Sequence, residues 1–162
     1  MKGIKRVILA AAAATMVGAP ATAACWSDSV VEAAYVRDFD TTLMVATLRC
    51  RTQDTQMGAS YNKFVREKRA VLVAANDELR AQFSAGRGAK AGMDAFDRFS
   101  TSLANSHGAG ETGVSCTEYR ALVEAAASAP VNRSALLQLA GKAGVNPALP
   151  QEACTRRVAF AR

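Results

Sequence analysis

The sequence predicts an all-α fold, an antiparallel bundle of about five helices stapled by disulfides, on three observations. Apolar residues recur at three- and four-residue spacing over long stretches, and the Val/Ile/Thr alternation of strands is nearly absent. Alanine, the best helix former, is abundant, while aromatic residues are only 6% of the 162 residues. Polar or glycine-rich breaks separate the periodic stretches, and the four cysteines stand far apart.

Residues 1–23 are expected to be a cleavable secretory signal peptide. Lys2, Lys5 and Arg6 form a basic head, Val7 to Val17 an apolar run, and Ala21-Thr22-Ala23 a small-residue cleavage site. The apolar run is well short of the roughly 20 residues that cross a bilayer as a helix, so no permanent transmembrane segment is expected. Residues 24–162 then form a single helical domain, periplasmic or secreted. Thr22-Ala23-Ala24-Cys25 also resembles loosely a lipoprotein box, but lipidating Cys25 would leave an odd number of cysteines in an oxidising compartment. Three of the 20 basic residues and none of the 14 acidic ones lie in the signal, so the domain is only mildly basic. Export and that balance argue against a nucleic-acid partner.

The first helix is expected from Asp28 to Cys50, with Ser27 or Ser29 as cap, Ser29 and Glu32 matching a capping box, and Val31, Tyr35, Phe39, Leu43, Ala46 and Cys50 facing the core. A second should run from Gly58 to Phe83 on Tyr61, Phe64, Val65, Leu72, Ala75, Leu79 and Phe83, until Ser84-Ala85-Gly86-Arg87-Gly88 breaks it. The third spans about Lys90 to Asn105, burying Met93, Phe96, Phe99 and Leu103, with Asp94 and Arg98 spaced for an ion pair. Residues 106–113 read as a loop. The fourth starts with a second box, Ser115 and Glu118, and stops before Pro130. Asn132 caps the fifth, which ends at Gly144, and Pro147 and Pro150 enforce an irregular tail.

Cys25, Cys50, Cys116 and Cys154 allow three disulfide pairings. A continuous first helix holds Cys25 and Cys50 some 30 Å apart, at about 1.5 Å per residue. A disulfide needs alpha carbons within about 7 Å, which disfavours that pairing and leaves two. Antiparallel neighbours favour Cys50 with Cys116, and Cys25 with Cys154. Zinc is not expected, because structural zinc sites usually contain a short-spaced cysteine pair and none occurs here. No other metal or cofactor motif appears either; neither glycine-rich stretch has the lysine and hydroxyl of a phosphate loop.

No catalytic residue stands out, and an enzyme is not the expectation. The sole histidine, His107, reads as a solvated loop residue; its alternative is a general base in a small secreted hydrolase, or a role in an inhibitor of one. The acidic pairs Asp38/Asp40, Asp77/Glu78 and Asp94/Asp97 read as solvated faces. The most suggestive cluster is basic. Arg49, Arg51, Lys63, Arg66, Lys68 and Arg69 fall around one helix-to-helix connection, and a hairpin would gather them at one end of the bundle. Arginine forks there could hold an anionic envelope component or an acidic periplasmic protein.

The run from Arg37 to Arg51, then Tyr61-Asn62-Lys63-Phe64-Val65, Ser102-Leu103-Ala104-Asn105 and the tail cysteine Cys154, resembles small exported bacterial helical proteins with paired cysteines and no assigned role. That resemblance implies a secreted helical domain and carries no catalytic residue with it. The expected function is therefore non-enzymatic binding or envelope association.

Overall fold

The computed structural model describes residues 25–109 and 114–154. The expected signal peptide lies outside them, as do residues 110–113 of the expected loop. The described residues form six helices and no strand: α1 (Asp28–Cys50), α2 (Met57–Glu67), α3 (Arg69–Ser84), α4 (Ala89–His107), α5 (Cys116–Ser128) and α6 (Arg133–Lys142).

Helix α1 is the axis of the molecule. All five other helices touch it, so its buried positions, from Val30 and Val31 through Phe39 and Leu43 to Cys50, run around nearly its whole circumference. Ser29 meets Glu78 and Asp40 meets Tyr61, so α2 and α3 run antiparallel to α1. Helix α4 packs on both α1 and α3, and α5 lies mainly on α2. At one end Trp26, 1% exposed, sits edge-on to Phe83 and Phe99 and joins the first turn to the tail. Its backbone amide donates to the Glu152 carbonyl, and its own carbonyl accepts from Cys154.

The helix expected from Gly58 to Phe83 is in fact two. Buried side chains keep helical phase through the break: Met57, Phe64, Leu72, Ala75, Leu79 and Phe83, with Lys68 in register between the halves. Backbone hydrogen bonds persist on both sides, Lys68 donating to Phe64 and Leu72 to Lys68. The chain bends rather than stops, so that α2 leans on α5 while α3 stays against α1 and α4. Such a bend leaves the periodicity intact, which is why the spacing alone predicts one helix.

Other local expectations divide. Ser115 and Glu118 form the reciprocal capping box, and Asn132 Oδ1 accepts from the Ala135 amide at the start of α6. At α1 the cap position is Ser27, which makes no side-chain cap bond, and the expected box dissolves into tertiary contacts. Ser29 donates to Glu78, and Glu32 lies 3.7 Å from Arg133. Asp94 pairs backward with Lys90 at 3.0 Å rather than forward with Arg98, and Met93 is exposed rather than buried.

Two disulfides close the bundle. Cys50 bonds to Cys116 with alpha carbons 5.5 Å apart, and Cys25 to Cys154 at 4.8 Å. Helix α1 is continuous, as the exclusion of a Cys25–Cys50 bridge requires. Gly144, at φ 72°, turns the chain out of α6, and residues 145–154 return along α1 and α4, with Val145 and Pro147 buried.

Candidate functional site

The six basic residues of the expected surface do not form one cluster. Tyr61 Oη donates to Asp40 at 2.9 Å, and the Phe39 and Phe64 rings lie 6.3 Å apart, so the second half of α2 is level with the middle of α1. Arg49 lies ten residues beyond Phe39, about 15 Å further along the axis. Arg49 and Arg51 thus mark the end of α1, while Lys63, Arg66 and Arg69 follow the outer side of α2 and the start of α3. All five are exposed, and none makes a hydrogen bond or ion pair among the described residues. Lys63 borders an open cavity of about 330 Å³ with Ser60, Glu124 and Ser128.

Lys68 is not part of that surface. It is 2% exposed, and its Nζ donates to the carbonyls of Ala127 at 2.9 Å and Ala129 at 2.5 Å. These are end carbonyls of α5 that lack partners within the helix, where a cation also meets the negative end of the helix dipole. Lys68 therefore pins α5 to the α2–α3 bend. An in-phase charged residue between Phe64 and Leu72 was the sequence signal for it.

The second site lies on the opposite side of α1. His107 is the last residue of α4 rather than a loop residue, and its side chain is mostly buried. Asp38, expected on a solvated face, is 2% exposed, and its Oδ1 is 2.6 Å from His107 Nε2. Thr42 Oγ1 stands 3.1 Å from the same nitrogen while donating its own proton to the Asp38 carbonyl at 2.9 Å. With that hydroxyl proton committed, the tautomer protonated at Nε2 satisfies both contacts, donating to Asp38 and Thr42. A pocket of about 210 Å³ opens beside the pair, walled by Ser102, Leu103 and Ser106 of α4 and by Gly144, Asn146, Pro147 and Ala148 of the tail. Asn146, on that tail, accepts from Tyr35 Oη at 3.1 Å. Burial, followed by the charge of Asp38, raises the Tyr35 hydroxyl above its ordinary pKa.

Among the described residues the contacts do not have the order of a hydrolase triad, in which the imidazole lies between acid and nucleophile on different nitrogens. Here acid and hydroxyl share one nitrogen. Ser106, the nearest serine in sequence, donates to the Leu103 carbonyl at 2.7 Å. Asp40, the other acid expected to be solvated, is also drawn inward. Burial pushes its carboxyl above the usual carboxylate range, against the opposing hydrogen bond from Tyr61 and the charge of Arg37. Burial and the same carboxylate push the Tyr61 hydroxyl far above its ordinary value. Arg37 bonds Asp40 at 3.3 Å, while its Nε is buried without a hydrogen bond among the described residues.

Among the described residues no group of three or more His, Cys, Asp or Glu is placed to hold a metal ion. No described helix is long and apolar enough to cross a membrane. No family model, curated protein or solved structure matches the chain.

Proposed function

We propose that the chain is an exported protein that acts by binding an anionic component of the cell envelope, with Lys63, Arg66 and Arg69 as the main contact and Arg49 and Arg51 as a second one. The observation that carries this reading is their lack of internal partners. Arg37, Lys90, Arg120 and Arg133 each pair with a carboxylate, whereas these five exposed cations pair with none among the described residues, as is also true of Arg87, Arg98 and Lys142 on other elements. Unneutralised guanidinium forks suit phosphate and carboxylate groups, and each basic side chain near an anionic surface contributes about 1 kcal/mol. The two disulfides and the absence of a membrane-spanning helix among the described residues are compatible with an extracytoplasmic protein.

Co-sedimentation with phosphatidylglycerol vesicles, against phosphatidylcholine vesicles, tests the reading. The protein should bind the anionic vesicles only, release with rising salt, and lose at least tenfold in affinity in an Arg66→Glu, Arg69→Glu double variant that keeps its helical circular dichroism. Equal binding by that variant removes the proposed surface. If the vesicles fail, the same variants probed against periplasmic extract would separate an acidic protein partner from a lipid.

One observation favours a second reading, a small hydrolase: a buried Asp38–His107 pair beside a pocket. It would require a detectable ester, glycan or peptide turnover that collapses in His107→Ala. The shared use of Nε2 by acid and hydroxyl makes it the weaker of the two.

A further inference from the structure

The pocket beside the Asp38–His107 pair has no part in the anion-binding reading, and its chemistry is different. We propose that it is a binding site for a small, neutral, polyhydroxylated molecule of monosaccharide size. At about 210 Å³ and open to solvent on one side, it falls below the roughly 300 Å³ at which sites for drug-sized ligands begin, so it suits only a small molecule. Its walls come from three distant parts of the chain: Asp38 of α1, residues 102–107 of α4 and residues 144–148 of the tail. The Cys25–Cys154 bridge and the bonds of Trp26 to Glu152 and Cys154 hold the end of that tail in place.

Charge argues for a neutral occupant. Among the described residues no lysine or arginine lines the pocket, and the one lining carboxylate, Asp38, is engaged by His107 at 2.6 Å. Among these residues an anion would find no free lysine or arginine, and a cation would have to compete with the imidazole for Asp38. The remaining polar groups are those that both donate and accept. Ser102 Oγ and the side-chain nitrogen of Asn146 make no hydrogen bond among the described residues, and Ser106 Oγ donates to Leu103 while its lone pairs remain available. A ligand bearing hydroxyls on several sides matches that mixture, whereas a carboxylate or an ammonium matches half of it. Leu103, Pro147 and Ala148 supply apolar contact of the kind that covers the C–H face of a sugar ring. Burying the Asp38 carboxylate costs desolvation, and an apolar replacement of equal volume often serves stability as well as a buried charge with its partner. Here the pair fixes the floor of the pocket.

The test is titration of the oxidised, isotope-labelled protein with N-acetylglucosamine, glucuronate and glucosamine, followed through backbone amide shifts. The neutral sugar should give saturable shifts confined to residues 102–107, 144–148 and the middle of α1, in the millimolar range, with both charged sugars at least tenfold weaker. Ser102→Leu and Ala148→Leu fill the pocket from opposite walls at exposed positions. Each should weaken the neutral sugar at least tenfold while leaving the remaining spectrum unchanged, and two variants guard against one that misfolds. The Arg66→Glu, Arg69→Glu variant should bind the sugar normally, which separates failure here from failure of the anionic surface. Absence of saturable shifts, equal binding of a charged sugar, or unaltered binding by both folded leucine variants overturns the proposal.

Discussion

At the residue scale the informative positions are the charged groups that the bundle takes inside. Lys68 occupies a core position of an apolar stripe, and its Nζ serves two end carbonyls of α5. Lys68→Met keeps the volume and removes the donor, leaving those carbonyls unsatisfied. It should destabilise the protein by about 2 to 4 kcal/mol, read as a lower urea midpoint with an unchanged slope. Asp40 gives a pH signature. Burial raises its folded pKa above the unfolded value, so its contribution to stability is fully present below the unfolded pKa and is lost as pH rises through the folded one. Asp40→Asn accepts the Tyr61 proton without ionising. Its stability relative to the wild type should therefore climb as pH rises across the acid range and level off above the folded pKa. A constant difference across that range would show that Asp40 is not destabilised as an anion.

At the element scale, helix existence was legible and helix joins were not. Ser115 and Asn132 announce their helices because capping is a local transaction between a side chain and the next three amides. The bend at Lys68 and the unused box at Ser29 escaped because a partner more than 40 residues away decides each of them. The corner between α3 and α4 shows the same dependence on distant contact. A Cβ on Gly92 would stand 2.5 Å from Ser84 Cα, closer than such atoms approach, so the two helices meet there only because position 92 has no side chain. Gly92→Ala gains helix propensity yet should cost about 1 to 3 kcal/mol through overpacking. Thermal unfolding would read it as a lowered Tm, and a raised Tm would mean that the corner relaxes freely.

At the scale of the whole molecule the disulfides tie the two ends of the bundle. They span 66 and 129 residues, and in the chain-entropy account each loop of that size adds about 4 to 5 kcal/mol by restricting the unfolded chain. Their surroundings differ. Both cysteines of the Cys25–Cys154 bridge are exposed, while Cys50 is 2% exposed. Timed reduction with a dithiol, trapped by alkylation and read by mass spectrometry, should open Cys25–Cys154 first. Simultaneous opening would mean that the bundle must unfold before either bridge is reached.

The all-α class, the core stripes, two of the helix caps and the favoured cysteine pairing followed from the sequence, because each rests on local spacing or on the length of one helix. The basic residues were visible too, but not their grouping: contacts between α2 and the middle of α1 spread them along the molecule, and one went inside. The Asp38–His107 pair was missed entirely. Its members are 69 residues apart, and α1 is buried nearly all round, so no polar face distinguishes Asp38 from a solvated acid. Periodicity records which side of a helix meets a core, and only tertiary packing decides what a buried polar group meets there.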